Sequence, residues 1–197
     1  MDFSLGGAVI AHAQACTAAG VPLLVGATGF DAATRAELTR AAAKIAVLIA
    51  PNTSVGVAVL SQLVTAAAFA LGEGYEVDIA EAHHRMKRDA PSGTALALGE
   101  AVAEVRGQTL KEVAVYDRNR PRKPGSIEFS VVREGDIVGE HTVTFAAAGE
   151  RLEITHRATD RMAFARGALR AAAWLVGRPA GLYGMHDVLG LQKKHGQ

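Results

Sequence analysis

Over the first seventy residues, short apolar runs alternate with helix-length segments, and this alternation constrains the fold more than any other feature of the chain. Residues 7–19, 32–44 and 54–71 read as helices, while "PLLV" at 22–25 and "IAVLIA" at 45–50 have the size of short buried strands. Such strand–helix repeats predict a parallel α/β sheet, in which ligands gather at the carboxyl ends of the strands. Both predicted strands run into loops of small and polar residues, "GATGFD" at 26–31 and "PNTSVG" at 51–56. Each loop opens a helix, whose free N–H groups favour anionic ligands.

After "LGEGY" the pattern changes. Strands are predicted at 76–84, 113–116, 126–133, 138–147 and 151–157, with a helix at 92–105 between the first two. "REGD" and "AAGE" supply hairpin-type turns among the last three strands. A helix over 160–176 and a short tail beginning "GRPAGLYG" finish the chain. An α/β segment is therefore followed by an antiparallel or mixed sheet with helices.

The 197 residues suffice for one generous domain or two small ones, and a net charge of +1 gives no general pull toward nucleic acid or membrane. The single Cys16 excludes an internal disulfide and does not imply an oxidising compartment. "AHAQA" at 11–15 faintly suggests a signal-peptidase site, but the residues before it carry Asp2 and no Lys or Arg. The alanine-rich segments are expected to fall short of a membrane span, which leaves a cytoplasmic protein as the expectation.

Against this nearly neutral background, "EAHHRMKRDAPSGTA" at 81–95 concentrates His83, His84, Arg85, Lys87 and Arg88 just ahead of a turn that opens a helix. If the strand stays regular, His83, Arg85 and Lys87 share one side and His84 takes the other. Ser92, Gly93 and Thr94 then add hydroxyls and helix N-terminal N–H groups, and Gly93 lets a ligand approach the backbone. Cationic side chains and backbone dipoles together suit a small molecule bearing carboxylates or phosphates. A protonated side chain held among other cations gives up its proton more readily, as acid–base chemistry requires. The competing reading is a solvated basic strand end followed by a capped helix.

A metal at Glu81, His83 and His84 is disfavoured, because adjacent histidines on a strand point apart and three cations lie nearby. "GATGFD" either cradles part of a nucleotide or is an ordinary tight turn with Asp31 as the next N-cap. Asn52 either binds a ligand amide or, with Thr53 and Ser54, caps the following helix. Asp160 is placed as an N-cap with Arg161 in the first turn, where a basic residue opposes the helix dipole unless a ligand uses it. His156, alternating with Ile154, is a core or interface histidine, and Phe164, Trp174 and Leu175 read as packing residues.

The central stretch resembles the signature of the dihydrodipicolinate reductase family. The resemblance continues through "GATGFD", "NTSVGV", "GDIVGEHTVTF" and "GERLEITHRATDRMAFARGALRAAAWL", and so covers essentially the whole chain. It implies NAD(P)H-dependent reduction of a cyclic dicarboxylate in lysine and diaminopimelate biosynthesis. His83 would be the catalytic acid/base and Lys87 a proton donor or charge stabiliser. His84, Lys87, Ser92, Gly93 and Thr94 would bind substrate. Gly26, Thr28, Ala50, Asn52 and Arg161 would face NADPH or NADH, and no metal is implied. The family implies a homotetramer built through the sheet of the C-terminal module, with "IVGEHTVTF" as an interface strand.

The same resemblance exposes a departure. The family's opening strand and GxxGxxG-type turn have no counterpart, and "MDFSLGGAV" looks like the end of the fourth strand of a Rossmann domain with its following helix. The expected fold is therefore α/β: a truncated Rossmann-like parallel segment plus an α+β substrate and oligomerisation domain with a mixed four-stranded sheet. Residues 1–74 form the first, with helix 160–177 and the tail packing back on it, and residues 75–159 the second. Without the pyrophosphate cradle, dinucleotide binding is expected to be poor. The alternative function is a non-catalytic dicarboxylate-binding and oligomerisation fragment.

Overall fold

The computed structural model describes residues 1–191. Their contacts divide the chain into two compact units, one of Met1–Ala58 together with the chain from Met162 onward, the other of Val59–Arg161.

The first unit is built on a three-stranded parallel sheet of β1 (Leu23–Val25), β2 (Ala46–Ile49) and β8 (Gly181–Tyr183), with β2 in the middle. Asp2 adds a parallel bridge to Val25, its N–H donating to the Leu24 carbonyl while its own carbonyl accepts from Gly26. Helices α1 (Val9–Ala19) and α2 (Ala32–Ala42) bury Val9, Ala13 and Leu38 against Leu23, Val25 and Val47. α6 (Met162–Leu175) and α7 (Met185–Leu189) pack Ala171, Leu175, Met185 and Val188 against Leu24, Ala46 and Leu48. Each strand is thus apolar on both faces, as parallel strands covered by helices must be.

The short tail beginning at "GRPAGLYG", for which the sequence predicts no element, supplies β8 and α7. Three residues are too few to announce a strand by alternation, and β8 forms because β2 offers it an open parallel edge. The helix at 160–176 starts later than expected, at Met162, so Arg161 precedes it rather than occupying its first turn.

The second unit carries a mixed sheet of five strands, not four, in the order β4 (Ala114–Val115), β5 (Ile127–Arg133), β3 (Glu76–His83), β6 (Gly139–Ala147), β7 (Glu150–Ala158). The additional member is the two-residue β4, parallel to β5. "AAGE" does turn β6 into its antiparallel partner β7, with Gly149 at φ +88 where a side chain would be strained. "REGD" does not close a hairpin. β3 lies between β5 and β6, parallel to the first and antiparallel to the second.

α3 (Val55–Leu71), α4 (Gly93–Val105) and the one-turn α5 (Leu110–Val113) are the remaining α-helices among the described residues. Leu60, Val64 and Ala68 of α3 and Leu98 and Val102 of α4 join Val77, Ile79, Phe129, Val143 and Phe145 in one core. Gly99 lets α4 lie close to the sheet, since a Cβ there would come within 2.7 Å of the Phe129 ring. The expectation that no segment reaches membrane-spanning length is corrected here. Val55–Gly74 is long and apolar enough to cross a membrane by length and composition. The absence of charge throughout α3 explains this, and in the structure the helix spends its apolar stripe on the core just described.

Candidate active site

The site grows out of a change along one face of β3. Alternation puts Val77, Ile79, Glu81 and His83 on the buried side, so the face is apolar for two positions and ionisable for the next two. Glu81 and His83 are 3% and 8% exposed. Antiparallel register sets His141 of β6 opposite Glu81, and parallel register sets Arg133 of β5 beside His83.

A buried carboxylate is costly unless every lone pair is met. Here the Arg133 guanidinium spans both oxygens of Glu81, Nη2 donating to Oε1 at 2.7 Å and Nη1 to Oε2 at 3.0 Å. The Ser92 backbone N–H donates to Oε1 at 3.0 Å, and His83 Nδ1 makes a close contact with Oε2. Burial pushes the Glu81 carboxyl up, but these donors outweigh it and hold its pKa below the usual value. His83 is pushed down by burial, partly restored by Glu81, and lowered further by Lys87 and Arg133.

Ser92 joins strand and helix. It is the N-cap of α4, its hydroxyl accepting the Ala95 N–H at 3.2 Å, and the same oxygen lies 3.1 Å from His141 Nε2. His141 is 3% exposed, and among the described residues its Nδ1 has no hydrogen-bond partner. Burial, reinforced by the nearby His83, pushes its pKa down to about 4, so the ring is neutral near pH 7. The rings of His83 and His141 meet edge to face with centroids 5.1 Å apart.

The strand does not stay regular through the basic cluster. β3 ends at His83, and a turn closed by Lys87 N–H to the His84 carbonyl at 3.1 Å follows. Arg85 and Lys87 therefore do not continue the His83 face. The Arg85 N–H still donates to the Gly135 carbonyl at 3.2 Å, but the regular ladder has ended as the chain folds back into "DAPSGT". Lys87 Nζ instead pairs with Asp89 Oδ1 at 2.8 Å. Burial raises the Asp89 carboxyl, while Lys87 and the Gly93 N–H help hold it below the usual value. A Cβ on Gly93, the first helical residue, would meet nothing within 4 Å, so the backbone there is open to a ligand. Thr94 follows in the first turn, half-exposed. In the turn itself, His84, Arg85 and Met86 line an open cleft with Gly135, Asp136 and Arg161.

The metal-type grouping that the structure forms is Glu81, His83 and His141, not Glu81, His83 and His84. Their ligand atoms lie within 4.8 Å of one another, but a guanidinium already occupies both carboxylate oxygens. Sequence reasoning left out Arg133 and His141, because nothing in the local pattern reveals which strands flank β3. Glu81 and His83 were within reach, being two apart on a predicted strand.

In the first unit, Gly26 and Ala50 follow β1 and β2, and the Ala50 N–H donates to the Val25 carbonyl at 2.9 Å, which ties the two strand ends together. The exposed Phe3 ring lies over Gly26, in the space a Cβ there would take. Thr28 is exposed. Asn52 Oδ1 accepts the Ser54 N–H at 2.9 Å, and Asp31 caps α2 by accepting the Thr34 N–H at 2.9 Å. Thr53 donates its hydroxyl to the Phe164 carbonyl at 2.8 Å, and Gly167 admits α6 against the Thr53 carbonyl, where any Cβ would overlap it.

This fold and site define an α/β protein in which a buried imidazole–carboxylate–guanidinium network adjoins the capped start of a helix, a layout suited to moving protons beside an anion. Residues 1–53 match the family model described as dihydrodipicolinate reductase, N-terminus, and residues 56–189 the model for its C-terminus. A 4-hydroxy-tetrahydrodipicolinate reductase of Anaeromyxobacter dehalogenans is 53% identical over 195 residues, 98% of this chain and 72% of that protein. One from Thiobacillus denitrificans is 52% identical over the same length, 98% of this chain and 73% of that protein. Among solved structures, a dipicolinate-bound dihydrodipicolinate reductase from Paenisporosarcina sp. TG-14 shares the fold, with a TM-score of 0.75 at 24% identity. That match covers 94% of this chain and 71% of the other. The chain belongs to the dihydrodipicolinate reductase family.

Proposed function

We propose that the chain catalyses the NAD(P)H-dependent reduction of 4-hydroxy-tetrahydrodipicolinate to tetrahydrodipicolinate, in lysine and diaminopimelate biosynthesis. The observation that carries this reading is His83, anchored at the end of β3 beside the open N-terminus of α4, in a chain half identical to reductases of that name. The second unit is then the substrate domain. His84, Lys87, Gly93 and Thr94 hold the carboxylates, and Ser92 supports the turn they stand on. Binding substrate draws Lys87 away from Asp89, its partner in a partly exposed pair.

The first unit is the nucleotide-binding part. Its residues fit a nicotinamide nucleotide: two adjacent parallel strand ends carry Gly26, Thr28, Ala50 and Asn52, and Thr53 and Gly167 fix the second loop before any ligand arrives. Arg161, in the cleft with His84, supplies a further cation. When bound, the reduced nicotinamide supplies the hydride. His83, assisted by Lys87, supplies the proton that accompanies it, and water leaves to complete the conversion.

The enzyme works as a cytoplasmic homotetramer on this reading. β6 has both edges paired within the sheet, so "IVGEHTVTF" takes part through its face while the exposed β7 forms the sheet edge.

The test is substrate-dependent oxidation of NADPH and of NADH by the intact chain and by Lys87→Ala. Turnover in the wild type, falling at least tenfold in the variant, is expected. Absence of turnover together with a rise in melting temperature on adding pyridine-2,6-dicarboxylate would support the non-catalytic dicarboxylate-binding fragment instead.

A further inference from the structure

Glu81 is in the ionised form that accepts hydrogen bonds only, since three unambiguous N–H donors, two from Arg133 and one from the Ser92 amide, converge on its two oxygens, and His83 Nδ1 makes a fourth contact there. A nitrogen facing an acceptor-only carboxylate must carry the proton. In the neutral ring Nε2 then holds the lone pair. That nitrogen faces Gly139 at the start of β6, where a Cβ would stand only 3.0 Å from it. One edge of the ring is thus anchored, and the other lies against glycine backbone where a Cβ would crowd it.

We propose that Glu81 is a positioning residue for the acid–base His83: locked by Arg133 and by the Ser92 amide, its carboxylate fixes the ring so that Nε2, over the Cβ-free Gly139, exchanges the proton. The chemical part of this assignment rests on the reductase reading; the tautomer does not. Arg133 and Ser92 matter because a carboxylate held by His83 alone could rotate away, whereas donors on both oxygens leave one orientation. The Ser92 amide also couples the anchor to the start of α4, so the imidazole and the carboxylate-binding turn are set against the same group. The groups facing His83 are Glu81 on its own strand, Arg133 on β5, His141 on β6 and Lys87 in the following loop. Glu81 is the one anion among them, so its removal leaves only cations and a neutral ring.

The deciding experiment is nitrogen-15 NMR of the imidazole groups in the intact chain, followed by kinetics of Glu81→Gln and Glu81→Asp. Neutral His83 is expected as the Nδ1–H tautomer, the reverse of a free imidazole. In Glu81→Gln the pH limb of kcat/KM set by His83 moves down by about one unit or more. The same variant lowers kcat about tenfold or more with KM nearly unchanged, as loss of a transition-state interaction does. Glu81→Asp, which restores the charge, recovers part of the rate and moves the limb back. A merely structural Glu81 would lower the unfolding midpoint and leave the limb in place. An Nε2–H tautomer of His83 in the wild type overturns the proposal even if the chain turns over substrate. Wild-type inactivity with the Nδ1–H tautomer present overturns the reductase reading and leaves the anchoring intact.

Discussion

The two units solve the problem of presenting polar groups in opposite ways. In the first, the loops at the strand ends are held by neutral or capping contacts: Asp31 on Thr34, Asn52 on Ser54, Thr53 on Phe164, and α6 seated on Gly167. In the second, the end of β3 is held by buried charge, with Glu81, Arg133, His83 and His141 packed under the start of α4. Buried ion pairs add little net stability over an apolar core, because desolvation offsets most of the attraction. On the proposed reading, a chain that keeps one where Val77 and Ile79 would otherwise continue uses the position for chemistry, since proton transfer needs a charge-tuned group held still. Backbone and cap contacts suffice where the task is only to hold a loop.

Removing one partner of the buried pair is the strongest way to break this contrast. Arg133→Leu strips the buried Glu81 carboxylate of its guanidinium partner, leaving only the Ser92 amide and His83, and urea unfolding should show a loss of about 3–5 kcal/mol confined to the second unit. Next in size is a pH effect. His141 titrates at about 4 in the folded chain and near 6.5 when unfolded, so between those values the unfolded chain binds more protons. Stability therefore rises with pH across that window and is lost as pH falls, with at most about 3 kcal/mol from this one ring. His83, also lowered, acts in the same direction, and Glu81 contributes stability that disappears as pH drops through its own depressed value. Melting curves from pH 7 to pH 4 should show the second unit destabilised, and His141→Asn should flatten the slope.

The first unit should answer to shape instead. Gly167→Ala forces α6 away from the Thr53 carbonyl and should cost about 1–3 kcal/mol with no dependence on pH in that range. The smallest effect is expected from Asp31→Ala, about 1 kcal/mol for a lost helix N-cap, read as a small drop in melting temperature.

The same contrast explains what the sequence displays and what it conceals. Helices and the longer strands announce themselves through periodicity, and Asp31 and Ser92 sit where capping chemistry requires them. "EAHHRMKRDAPSGTA" marks the site because its residue types are concentrated in one stretch. β4 and β8 are too short for alternation to register, and both form on edges offered by strands distant in sequence. The misread "REGD" connection has the same cause: local turn chemistry does not say that β3 already occupies the space between β5 and β6. The anchoring of His83 depends on that hidden order, since Arg133 lies 52 residues from Glu81, and Gly139 and His141 come from the neighbour on the other side.

The most direct test of the account is the rate of substrate-dependent NAD(P)H oxidation in His83→Gln, measured beside pyridine-2,6-dicarboxylate binding by the same variant. Loss of the proposed acid–base group should lower the rate about 10²–10⁴-fold while the dicarboxylate still binds. A variant that turns over as fast as the wild type would contradict the account.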